Sequence, residues 1–135
     1  MRLPSDLEIL RHIYDTYLEG FRSFDPENAT RGSRTYVPID IRQIATDLET
    51  DPYILFGRLY YHLDHKYRYT QEDGSLVFLF LFSAGEDIQA RHSIHFPYLA
   101  SVVSEKTVED TRSKTAIVLS LLSLGVAIAS LFIKR

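Results

Sequence analysis

At 135 residues, 45% of them hydrophobic, and with a formal net charge of −3, the chain has room for one compact domain with a modest core. It contains no Cys, which excludes disulfide frameworks, Cys-ligated zinc and thiol nucleophiles. Residues 1–114 hold 18 acidic against 13 basic residues, a net of −5, whereas a dedicated nucleic-acid binder is usually strongly basic.

The first predicted element is a helix from about Asp6 to Phe24. Ser5 followed by Glu8 has the spacing of a capping box, in which each side chain satisfies the other's backbone N–H. Leu7, Ile9, Leu10, Ile13, Tyr14, Tyr17, Leu18 and Phe21 recur at helical spacing and form its broad apolar face. Residues 25–35 are a polar loop. Tyr36 to Ile39 reads as a short strand, placed at a sheet edge because Pro38 has no N–H to give a ladder.

Asp40 has the character of an N-cap for a short helix, Ile41 to Leu48. Glu49-Thr50 makes a turn. Asp51 caps a second helix that opens on Pro52 and runs to about His65 with Ile54, Leu55, Leu59 and Leu63 on one side. A hairpin is expected next: a strand at Tyr67–Thr70, a turn at Asp73-Gly74, and a strand at Leu76–Phe82. Residues 83–95 read as irregular and polar, and a helix opens at Pro97 and leads into the final segment.

That segment, residues 115–133, reads TAIVLSLLSLGVAIASLFI. It carries no charge, and its 19 residues give roughly 28 Å of helix, close to the hydrocarbon thickness of a bilayer. The expectation is a single transmembrane helix followed by a short basic tail, Lys134-Arg135. The predicted organisation is a domain at 1–82, a connector and stalk helix at 83–114, the span at 115–133 and the tail at 134–135. Leu3-Pro4-Ser5-Asp6-Leu7-Glu8 places charges where a signal peptide would be apolar, so the domain is expected on the cytoplasmic side. Arg112 and Lys114 before the span nearly balance Lys134 and Arg135 after it, so loop charge decides little.

The order helix, short strand, helix, turn, helix, hairpin resembles the winged helix-turn-helix superfamily. Ile41–Leu48 stands as the first helix of the motif, Glu49–Asp51 as its turn, Pro52–His65 as the recognition-type helix and Tyr67–Phe82 as the wing. The resemblance implies an α+β fold whose second helix presents Tyr53, Arg58, Tyr61, His62 and His65 to a DNA or protein partner. Arg42, Lys66 and Arg68 would add phosphate contacts. From Arg34 to Tyr69, however, five basic residues meet five acidic ones, so the counterion-release contribution to DNA affinity is weak.

Other candidate sites are few. His62/His65 and His92/His95 are pairs at a spacing of three, and on a helix such a pair shares one face; neither has the tighter ligand pattern of a recognisable zinc site. There is no phosphate-binding glycine loop, G-x-S-x-G or HExxH, and neither enzymatic activity nor a cofactor is expected. The run Leu76–Phe82 is apolar on both faces. Phe78, Phe80 and Phe82 are therefore candidates for an interface, unless another element of the chain covers them. In the span, Ser123, Gly125, Ala127 and Ala129 give the small-xxx-small spacing that lets helices approach closely in lipid.

The expected function is a membrane-anchored interaction module that recruits or regulates a protein partner, with membrane lipid and self-association as further contacts. The alternatives are a membrane-tethered DNA-binding regulator, disfavoured by the acidic domain, and a small membrane-active effector with an oligomerising span.

Overall fold

The computed structural model describes residues 1–29, 31–81 and 92–134. The fold is mixed α+β, with small antiparallel sheets and a long apolar helix at the C-terminal end. It divides into two compact units, Met1–Val103 and Ser104–Arg135.

Local capping chemistry sets the helix starts. α1 spans Asp6–Arg22; Ser5 Oγ accepts from the Glu8 N–H at 3.1 Å and the Glu8 carboxylate accepts from the Ser5 N–H, the reciprocal pair expected. β1 is Tyr36–Ile39. α2, Ile41–Asp47, starts on Asp40, whose side chain accepts from the Gln43 N–H. It ends in a turn where the Thr50 N–H reaches the Ala45 carbonyl and the Glu49 N–H reaches Thr46, with Glu49 left-handed at φ 55°.

α3 starts on Asp51 with Pro52 in its first turn. It is α-helical over Pro52–Gly57, π-helical over Arg58–Asp64, and closes with an α-helical turn at His65–Tyr67. An α-helix rotates residues four apart by more than a full turn; the wider π turns offset that drift. Leu55, Leu59 and Leu63 thus stay in line, all three fully buried.

β2 (Tyr69–Thr70) and β3 (Leu76–Val77) form a small antiparallel hairpin, with Gly74 at φ 86° in its turn. β4 (Phe80–Leu81) and β1 flank β5 (His92–His95) in a separate three-stranded antiparallel sheet. Two expectations are corrected here. The run from Leu76 is not one strand: the chain leaves the hairpin at Phe78-Leu79 and enters the other sheet. Residues 92–95, read as irregular, are the central strand. Its register pairs Tyr36 with His95 and Val37 with Ile94, and Pro38 lies on the outer strand β1, as its missing N–H requires.

The core sits between these layers. Ile9, Leu10 and Ile13 of α1 meet Ile41, Ile44 and Ala45 of α2, the α3 leucines, Leu79, Phe80, Ile94, and Phe96, Leu99 and Val102 of the last helix. Each large side chain withdrawn from water contributes roughly 1.5–3 kcal/mol. Phe96 is held between stacked rings of Tyr14 (5.2 Å) and Phe21 (4.7 Å). The last helix, α4, runs over Phe96–Ile133, beginning one residue earlier than expected. Its large apolar side chains from Ile117 to Ile133 are all exposed.

Candidate functional surface

The residues singled out on α3 fall into two groups. Tyr53 (69% exposed) and Tyr61 (70%) project into solvent, and His65 is exposed with them. Gly57 lies between the two tyrosines at intervals of four, and a Cβ there would stand 3.8 Å from the Tyr61 ring.

Arg58 and His62 form the other group: Arg58 is partly buried, and the exposed His62 reaches the same carboxylate. The Arg58 guanidinium donates to the Pro4 carbonyl and, at 2.7 Å, to Asp6 Oδ1. His62 Nε2 lies 3.2 Å from Asp6 Oδ2. The amino-terminal arm is fixed against the same region, because the Arg2 N–H donates to the Glu49 carbonyl at 2.8 Å and the Arg2 side chain pairs with Glu8 at 2.6 Å. Arg58 is therefore a clamp between α3 and the start of α1. Sequence spacing could not reveal a pairing across 52 residues.

Of the basic side chains proposed for phosphate contact, Arg68 and Lys66 have partners within the domain. Arg68 pairs with Asp64 at 2.8 Å and lies over the Phe78 ring at 5.6 Å. Lys66 lies over Tyr67, and Arg34 donates to the Phe21 carbonyl. Arg42 is exposed. Asp64, one of the five acidic residues between Arg34 and Tyr69, is 1% exposed. It accepts from the N–H groups of Leu79 and Phe80 and joins α3 to the sheet.

Of the candidate apolar interface, Phe80 is 1% exposed, packed edge-on against Phe56 and tilted against His92, and so belongs to the core. Phe78 is half-buried beside Arg68, and Phe82 lies outside the described residues. Among the span residues singled out, Ser123, Gly125, Ala127 and Ala129 all lie on the exposed part of α4. His92 and His95 sit on opposite faces of β5, because side chains three apart on a strand point apart. Among the described residues no cluster of three or more metal-ligating side chains occurs.

Burial opposes ionisation of Asp6, but hydrogen bonds from Arg58 and His62 outweigh it and hold the carboxyl below the ordinary aspartate range. A depressed carboxyl contributes stability above its unfolded value, about 3.9, and loses it as pH falls through the lower folded value. Replacing Asp6 by Asn is expected to cost about 1–2 kcal/mol at neutral pH, between an exposed ion pair and a buried charge-assisted hydrogen bond. The gap between wild type and variant should close as pH falls through the lowered folded value, as read by denaturant melts across the acid range.

Compared with family models, curated proteins and solved structures, the chain has no match.

Proposed function

We propose that this protein is a membrane-anchored, non-enzymatic interaction module. Residues 115–133 of α4 would cross the bilayer once, and the domain would stand on the cytoplasmic side to recruit or regulate a protein partner. The observation that carries this reading is the surface of α4. Among the described residues one helix is long and apolar enough to cross a membrane, and none of its most apolar window is buried within the protein. A contiguous exposed apolar surface of that size marks a contact with lipid or protein.

Within the domain, the helix–strand–helix–turn–helix–hairpin order supports a winged-helix reading, although β4 leaves the expected wing to join β1 and β5 in another sheet. The pairing of Arg58 with Asp6, of Arg68 with Asp64 and of Arg34 with the Phe21 carbonyl favours a protein partner over DNA, since these cations are committed within the domain. Exposed tyrosines at 53 and 61 supply large contact area at low entropic cost, as partner-binding surfaces do. Confining the domain to a membrane raises its effective concentration toward a partner there, without new contacts.

The test is alkaline carbonate extraction of the full-length protein with membrane crosslinking. Retention in the pellet, with a crosslinked partner weakened by Tyr53→Ala and Tyr61→Ala, is the expected result. Release into the supernatant overturns the anchor. Orientation has its own readout: Asn28 is exposed and begins the sequence Asn28-Ala29-Thr30, a glycan acceptor. Glycosylation of Asn28 in microsomes would place the domain on the lumenal side and overturn the cytoplasmic assignment.

A further inference from the structure

The first turn of α4 has an unusual fastening. A helix leaves its first backbone N–H groups without intrahelical partners. Here the Phe96 N–H donates to the Thr35 carbonyl at 2.9 Å, and Pro97 has no N–H to satisfy. The Tyr98 N–H donates at 3.1 Å to Nδ1 of His95, the residue immediately before the helix. His95 therefore does with an imidazole nitrogen what Ser or Asp does at the other helices. Its own backbone is fixed in β5, where its N–H donates to the Leu79 carbonyl at 2.8 Å.

We infer that His95 is an acid-sensitive cap, which fastens the first turn of α4 when neutral and releases it when protonated. To accept from Tyr98, Nδ1 must carry no proton, so the ring is the Nε2–H tautomer. Protonation places an N–H at Nδ1, facing the Tyr98 N–H, and the acceptor is lost. It also puts a positive charge at the positive end of the helix dipole.

Around the ring, burial disfavours the charged form and outweighs a backbone hydrogen bond at His95 that favours it. Among the described residues, the titratable groups packed on it are two phenols. Tyr36 of β1 meets the ring edge-on at 5.2 Å, and Tyr98 of α4 does so at 6.0 Å. Tyr98 is itself held, its hydroxyl donating to the Tyr67 carbonyl at 2.6 Å and its ring meeting Tyr69 at 5.6 Å. Burial holds the His95 imidazole below the ordinary histidine range. The stability it contributes is full above the unfolded value, about 6.5, and falls as pH drops through the lower folded value. Mild acid thus loosens the root of the same helix that carries the apolar segment, while the core residues beyond the first turn, Leu99 and Val102, stay buried. The inference concerns the domain alone and stands whether or not α4 enters a membrane.

The experiment uses the full-length protein in detergent micelles. Exchange protection of the Tyr98 amide, corrected for intrinsic exchange, is compared at about pH 7.5 and about pH 5.5. Wild type is expected to lose protection about five- to tenfold, the scale of a lost N-cap. His95→Asn, which caps through an oxygen that does not titrate, should keep it. An equal fall in both proteins, or no fall in wild type, overturns the inference. Should His95→Asn fail to fold, the wild-type ring decides: a His95 NMR titration midpoint below the free imidazole value supports the cap, and one at or above it overturns it.

Discussion

Replacing Asp64 by Ala is expected to destabilise the domain by about 3–5 kcal/mol, the range for breaking a buried charged contact by removing one partner. The cost comes mainly from what the carboxylate leaves behind. Its Oδ1 accepts from the N–H groups of Leu79 (2.9 Å) and Phe80 (3.1 Å), and both residues are buried. Each donor left without an acceptor costs about 1–3 kcal/mol. The lost pairing with Arg68 matters less, because that side chain is 37% exposed and can regain water. Asp64→Asn separates the two effects. An amide oxygen can still accept from both N–H groups, but its NH₂ faces the Arg68 guanidinium, so a smaller loss of about 1–2 kcal/mol is expected. For a domain of this size, 3–5 kcal/mol lowers the melting midpoint by more than about 12 °C. Melts of the full-length protein in detergent read both variants. An Ala variant within about 0.5 kcal/mol of wild type would mean that the carboxylate does not tie α3 to the sheet.

That contact also shows where the sequence stops speaking. The helix starts were legible because caps are local. Ser5 with Glu8, Asp40, and Asp51 with Pro52 each announce a helix within four residues, and each does so in the structure. The apolar helix was legible by composition alone. β5 was not, because four residues reading HSIH become a strand only through pairing with β1 and β4, contacts that no local pattern encodes. The run from Leu76 misled for a related reason. Continuous apolarity signals burial on both faces, but here it arises from a chain that changes sheets at Phe78-Leu79, with Leu79 and Phe80 in the core and Leu76 and Leu81 exposed. On α3 the helix was foreseen, yet the roles of its polar residues were not. Nothing local distinguishes Arg58, which clamps Asp6, from the exposed Arg42, or the buried Asp64 from the exposed Asp51. The tyrosines at 53 and 61 kept their predicted exposure.

Placing arginine at both Leu121 and Leu124 is expected to remove the full-length protein from the membrane fraction. Leu124 is the midpoint of residues 115–133, and both side chains are exposed, at 63% and 57%. An arginine near the centre of a span costs about 2.5–3.5 kcal/mol on insertion scales, so the pair costs about 5–7 kcal/mol, several powers of ten in partitioning. Neither residue is among the buried core side chains, so the domain should melt as in wild type, and loss of membrane residence cannot be blamed on unfolding. The same loss would follow if the helix instead packed specifically against another protein, which a second variant resolves. Scrambling the order of residues 115–133 preserves length and hydropathy but destroys any particular packing face, including the spacing of Ser123, Gly125, Ala127 and Ala129. Lipid responds to the sum of transfer energies and not to their order, so the scrambled protein should remain in the membrane. If scrambling releases it as fully as the two arginines do, the apolar surface of α4 is a protein interface and the anchor reading fails.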